Sequence, residues 1–159
     1  MRGDELHLSL LHPADIPHLT RLMREAFDAD VPADASVSPE LLDCYHNDDL
    51  FHKWPPGCLD AERYSVAIAG VLAGAAVIWH YPAATAVLGL LFVAPAHQQR
   101  GIGTRIWRDL EARYDEAARW LVSAPAWSGK TQRFYRQACG FQFTRQTGAY
   151  VVLEKVMRR

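Results

Sequence analysis

The chain has 159 residues, 50% of them hydrophobic and 22% charged, with a formal net charge of -1. That length suits one domain able to bury a core without metals or disulfides, and the apolar content excludes a disordered chain. Near-neutral charge removes the global argument for a nucleic-acid partner. Cys44, Cys58 and Cys139 are odd in number and lack zinc-ligand spacing. They read as buried small hydrophobes of a reduced, cytoplasmic chain. Gly, Pro and His break every apolar run below the roughly 20 residues of a membrane span, and the start MRGDELHLSLLHPAD holds no signal-peptide core.

Leu6 to Leu11 is a short apolar strand. Pro13-Ala14-Asp15 opens a helix whose apolar residues, Ile16, Leu19, Leu22, Met23, Ala26 and Phe27, recur at intervals of three and four. Val31 to Pro39 is a loop. Ser38-Pro39-Glu40 is an N-cap followed by proline at the first helical position, which predicts a short helix to about Tyr45. His46 to Asp60 is irregular around Pro55-Pro56-Gly57. Tyr64 to Ala69 and Leu72 to His80 form a hairpin about Gly70-Val71. Ala86 to Val93 carries no charge and suits a strand buried on both faces.

A helix follows from Gly103 to Ala118, with Ile106, Leu110 and Tyr114 on its apolar stripe. Trp120 to Ser123 is a strand. Thr131 to Ala138 is a helix closed by Gly140. Phe141 to Thr147 and Tyr150 to Met157 are the last two strands. Strands and helices in this order predict an α/β fold with one central sheet.

Gln98-Gln99-Arg100-Gly101-Ile102-Gly103 sits between a buried strand and a helix. Two glycines let the backbone turn closely and leave amides unobstructed. A helix start carries unpaired N–H groups and a favourable dipole for phosphate. A plain tight turn is the other reading of the same residues. No Lys-Ser/Thr follows the glycines, so this is not a nucleotide P-loop, and GxGxxG is incomplete.

The run Leu91 to Thr104 (LFVAPAHQQRGIGT) resembles the acetyl-CoA segment of the GNAT (Gcn5-related) N-acetyltransferase family, whose pattern is Gln/Arg-x-x-Gly-x-Gly/Ala. Gln98, Gly101 and Gly103 match it. Ser65 to Gly74 resembles the family's second and third strands, and Ser128 to Phe141, with RFYRQACGF, its late helix and the strand after it. The three motifs stand in the family's order, and the resemblance runs from Leu6 to about Val156.

The resemblance implies one GNAT-like domain over residues 1–159, with residues 31–62 as the variable acceptor-side region. It implies a mixed central sheet of about seven strands flanked by helices and splayed between strands 4 and 5. Leu91, Phe92 and Val93 would border the pantetheine arm, and Gln98, Gln99, Arg100, Gly101, Ile102, Gly103 and Thr104 would wrap the pyrophosphate. Tyr135 matches the family tyrosine that protonates the departing thiolate, and a backbone amide near Val93 would polarise the thioester carbonyl. The bare reading of Tyr135 is a packed helix-face aromatic. Ser128 stands where the family often has an Asn that touches pantetheine. Near Gly89 and Leu90 many members carry a Glu base, and this chain has neither carboxylate nor imidazole there. His80 is then the nearest candidate base, against an ordinary histidine.

Charge is segregated. From Asp28 to Glu62 nine acidic residues face Lys53 alone, a formal -8, and from His97 to Arg159 twelve basic residues face five acidic ones, a formal +7. The basic half suits a phosphate-bearing donor. The acidic half suits a cationic amine, or is simply a solvated surface. Tyr45, Phe51 and Trp54 are either an apolar wall for the acceptor or packing.

The expected activity is acyl-CoA-dependent: transfer of acetyl from acetyl-CoA to a primary amine by direct attack in a ternary complex. No metal is expected, nor a nucleic-acid or membrane partner. The acceptor is a small molecule or a peptide, and the last two strands suggest a homodimer. The rival is a non-catalytic acyl-CoA sensor or interaction module of the same fold.

Overall fold

The computed structural model describes residues 5–98 and 100–158. Seven strands form one sheet: β1 (Leu6–Leu10), β2 (Asp60–Ile68), β3 (Val71–Tyr81), β4 (Thr85–Val93), β5 (Arg119–Pro125), β6 (Gln142–Thr147) and β7 (Tyr150–Val156). Their order across the sheet is β1-β2-β3-β4-β5-β7-β6. All neighbours are antiparallel except β4 and β5. The helices are α1 (Ile16–Asp30), α2 (Pro39–Tyr45), α3 (Ile102–Arg113) and α4 (Gly129–Arg133), the last continuing as a π-turn over Phe134–Ala138.

The caps act as their residue types dictate. A 3-10 turn over Pro13–Asp15 leads into α1, with His12 Nδ1 accepting from Ala14 N–H at 3.1 Å. Ser38 Oγ accepts from Leu41 N–H at 3.3 Å, and Pro39 opens α2. The helix expected over Gly103 to Ala118 is shorter and stops at Arg113. Tyr114 leaves helical geometry and its hydroxyl meets that of Tyr64 at 2.5 Å. Ala118 N–H then donates to Ala84 O at 2.7 Å, so the chain is already entering the sheet.

Strand alternation splits the core into two faces. Ala76 and Ile78 of β3 pack with α3 and the late helical segment, together with Trp107 and Trp120. Ala75, Val77 and Trp79 pack on the other face with α1 and the 3-10 turn over Asp49–Phe51. In β4 the alternation breaks. Leu88 belongs to the first face and Leu90, two residues on, to the second. The register explains this: Ile78 pairs with Leu88 and Val77 with Leu90, leaving Gly89 as the extra residue of a β-bulge.

Beside the bulge the sheet opens. β4 and β5 pair only over Thr85–Leu88 and Arg119–Val122. From Gly89 onward β4 has no strand partner on that side, and a cleft of about 400 Å³ occupies the gap.

Candidate functional site

The cleft is walled by Leu88 to Val93 of β4, by Val122, Ser123 and Pro125 of β5, and by α1 through Met23, Ala26, Phe27 and Asp30. Gln98, Gly101, Ile102, Gly103 and Thr104 line it at the start of α3, and Ser128 and Tyr135 line it from the late helical segment. Thus Leu91, Phe92, Val93, Gln98, Gly101, Ile102, Gly103, Thr104, Ser128 and Tyr135 all border one space. Arg100 is exposed and not on its lining, and Gln99 lies outside the described residues.

The loop has the geometry of a helix start. Gly101 adopts φ +72°, a left-handed turn that disfavours any side chain. Arg105 N–H bonds to Gly101 O at 3.1 Å. Among the described residues, no acceptor meets the N–H groups of Gly101, Ile102, Gly103 or Thr104. Gly103 is small for a packing reason: a Cβ there would stand 3.1 Å from the Phe134 ring. The bare backbone lets α3 and the late segment close on each other.

Gln98 is committed at both ends of its amide. Nε2 donates to Val93 O at 2.8 Å, and Oε1 accepts from Lys130 Nζ at 3.0 Å. Lys130 also pairs with Asp30 at 3.0 Å, which ties α1, the loop and α4 together. Ser128 caps α4: its Oγ accepts from Thr131 N–H at 3.2 Å and donates to Thr131 Oγ1 at 2.8 Å. Gln132, which sequence reasoning missed, donates to Pro125 O and Ala126 O at 3.2 and 3.0 Å and holds the end of β5.

Tyr135 lies in the π-turn, a distortion often found at functional sites, and is 4% exposed. Its ring packs on Phe134 and Phe141 at 5.1 and 5.7 Å. Burial pushes its phenol well above the ordinary value, and Tyr45 and Cys139 add to the rise. The phenol therefore carries its proton throughout the neutral range.

A second chamber of about 310 Å³ lies against the first and shares Tyr45, Leu88, Gly89 and Ser123 with it. The β4 bulge at Gly89 is on the lining of both. Tyr45 stacks on Phe27 with centroids 4.7 Å apart. Burial raises its phenol to about 12, and the Cys44 thiol contributes. Of the three aromatics Tyr45, Phe51 and Trp54, only Tyr45 lines either space. Phe51 is core, and Trp54 is exposed and bonded to Cys58 O at 2.9 Å.

Other sequence candidates fall elsewhere. His80 is outside both linings and pairs with Glu62 at 2.7 Å. Part of the acidic run is paired off: Asp28 with His46, Asp48 with His52, and Asp30 with Lys130. Among the described residues no three His, Cys, Asp or Glu side chains are placed to hold a metal, and no helix is long and apolar enough to cross a membrane.

The sequence model of the Acetyltransferase (GNAT) family matches residues 19–141. A 54-residue stretch is 33% identical to the uncharacterized protein YrkN of Bacillus subtilis, spanning 34% of this chain and 29% of that protein. In solved structures the fold is similar to PaiA N-acetyltransferase of Thermoplasma acidophilum in complex with coenzyme A, with a TM-score of 0.77 and 15% identity over 96% of this chain and 99% of that one. It is also similar to an acetyltransferase of Thermus thermophilus, with a TM-score of 0.75 and 21% identity over 99% and 100% of the two chains.

Proposed function

The chain belongs to the Acetyltransferase (GNAT) family, and on that premise we propose that it transfers acetyl from acetyl-CoA to a primary amine. The observation that carries this reading is the cleft at the β4–β5 gap, with the glycine loop at one end of its lining and Tyr135 from the late segment. Residues 1–159 act as one acetyltransferase domain, with residues 31–62 on the acceptor side. Tyr45 of α2 and Lys53 support that placement by lining the second chamber.

The donor supplies an activated acetyl group as a thioester. The N–H groups of Gly101, Ile102, Gly103 and Thr104 take its phosphates, aided by the dipole of α3. The unpartnered side of β4 from Gly89 to Val93 runs beside the pantetheine arm, and its amide groups supply the donor for charge developing on the carbonyl oxygen. Val93 O accepts from Gln98 Nε2 at 2.8 Å, which fixes the end of β4 against the loop; the oxyanion donor is a backbone N–H of β4 near Val93. The acceptor amine arrives from the second chamber at the bulge. Its nitrogen bonds to the carbonyl carbon as the carbon–sulfur bond breaks. Tyr135 gives its proton to the departing thiolate; of the two protons the ammonium nitrogen loses, one goes to solvent and the other restores the Tyr135 phenol, so amide, thiol and one proton leave. Ternary-complex attack fits two chambers that share the bulge on their linings. Cys44, the thiol on the acceptor wall, bonds Tyr150 at 3.4 Å and has no imidazole to activate it.

A donor-binding module without turnover is the second reading. It is favoured by Gly89 at the bulge, where no carboxylate or imidazole stands. Thiol release from acetyl-CoA across an amine library, with mass detection of products, separates the two. Turnover with any amine supports the transferase, and saturable binding of acetyl-CoA with no turnover supports the sensor. Pairing of two copies along the exposed edge strand β6 would cover Phe143, which is 51% exposed; light scattering reads that directly.

A further inference from the structure

The second chamber carries charge of both signs. Glu40 of α2, Lys53 of the loop after Asp49–Phe51, and Arg145 of β6 all line it. None has an ionic partner within 4.0 Å among the described residues. Lys53 Nζ stands 5.9 Å from the Trp79 ring centroid, and Arg145 Nε reaches only the Thr147 hydroxyl at 3.3 Å. Elsewhere in the region Asp28, Asp48, Asp30 and Glu62 pair with His46, His52, Lys130 and His80, while, among the described residues, Asp34, Asp43, Asp49 and Asp60 lie off the linings of both spaces apart from any such pair. Unpaired charges on the wall of a cavity favour a ligand carrying the complementary set.

The lining is otherwise mixed and small. Trp79, Val87 and Leu50 supply apolar surface, and Thr147 and Tyr150 supply hydroxyls. A volume of about 310 Å³ is at the lower end of small-molecule sites. A long polycation would find two cations there. A simple amine would leave both cations without a partner.

We infer that the acceptor is a small amino-carboxylate, such as a free amino acid or a close analogue. Its carboxylate is held by Arg145 and Lys53, and its ammonium enters past Glu40 to the bulge at Gly89. An Arg guanidinium suits a carboxylate because it can offer two parallel N–H donors. This rests on the proposed acetyl transfer and narrows its acceptor.

The test uses the full chain, acetyl-CoA and matched triplets: an amino acid, its carboxamide, and the amine lacking the carboxyl carbon. Each is followed by thiol release and product mass. The expected result is that kcat/KM for the best amino acid exceeds that for its carboxamide about tenfold or more, one well-formed ionic contact. R145Q and K53M should raise KM for the amino acid and bring that ratio toward one. Acetyl-CoA affinity, measured by calorimetry on the same variants, reports that they are folded. Equal or faster turnover of the carboxamide, of the decarboxylated amine, or of a peptide with an amidated C-terminus overturns the inference, as does a ratio unmoved by R145Q. Failure of every amine, with acetyl-CoA still bound, overturns the transferase reading itself and this one with it.

Discussion

Gly89 packs closely on Trp79: a Cβ built on it would stand 2.7 Å from carbons of the benzo ring. The contact sits at the bulge where β4 changes face, on the lining of both chambers. G89A must push Trp79 or the strand aside. Overpacking of this kind costs about 1–3 kcal/mol, which lowers Tm by about 3–10 °C for a chain of this size. Thermal unfolding checks it, and acetyl transfer should fall more steeply than stability because the gap beside the strand is reshaped.

Y135F removes the proposed proton donor and keeps the ring that packs on Phe134 and Phe141. Turnover should fall about 100-fold, the lower end of general-acid effects, with acetyl-CoA affinity within twofold. Since burial raises the Tyr135 phenol, wild-type turnover should show no alkaline limb below pH 10 that Y135F abolishes. A variant with full turnover and an unchanged pH–rate profile refutes the assignment.

Lys130 holds Asp30 and Gln98 together at the cleft lining. K130M frees Gln98 Oε1 and removes a cation near the proposed phosphate loop. The acetyl-CoA Kd should rise about fivefold, the scale of an exposed ion pair. The difference between wild type and variant should shrink in high salt. Calorimetry at two ionic strengths reads both effects.

Ser128 caps α4 with both functions of its hydroxyl. S128A should cost about 1 kcal/mol of stability, the usual loss of an N-cap. If Ser128 instead acts chiefly on the donor, KM for acetyl-CoA rises while Tm stays put. Measuring both on one preparation separates the roles.

Several phenols respond to burial in the same sense. Tyr45 is raised to about 12, and Tyr114, Tyr135 and Tyr150 are pushed higher still. Each keeps its proton in the folded state after the unfolded chain starts to lose it. The stability they contribute is therefore complete below about pH 10 and is lost as pH rises through the folded values. Urea midpoints should fall between pH 10 and 12, and Y45F should flatten that fall.

Much of the architecture is legible before any coordinates. All seven strands and all four helices occur in the expected order because alternation, three-four spacing, Ser38-Pro39 and Gly140 are local signals. The helix after the glycine loop is overrun by five residues because Tyr114, which fits the apolar stripe, is recruited by the Tyr64 hydroxyl from another strand. The bulge at Gly89 is hidden for the same kind of reason, since a bulge is a property of a pair of strands. The acidic segment reads as one charged surface, yet Asp28, Asp48, Asp30 and Glu62 pair with His46, His52, Lys130 and His80, and Glu40 lines the second chamber.

What the amino-acid string determined by itself is the set of elements and the glycine-marked turn at residues 98–104, because backbone conformation follows from neighbours in the chain. What only the tertiary structure decided is the company each side chain keeps. Tyr45 and Lys53 are far in sequence from Arg145 and Tyr150, and the two pairs come together on one lining beside the β4–β5 gap. Long-range convergence of this sort depends on strand order and packing, and no short-range spacing encodes it.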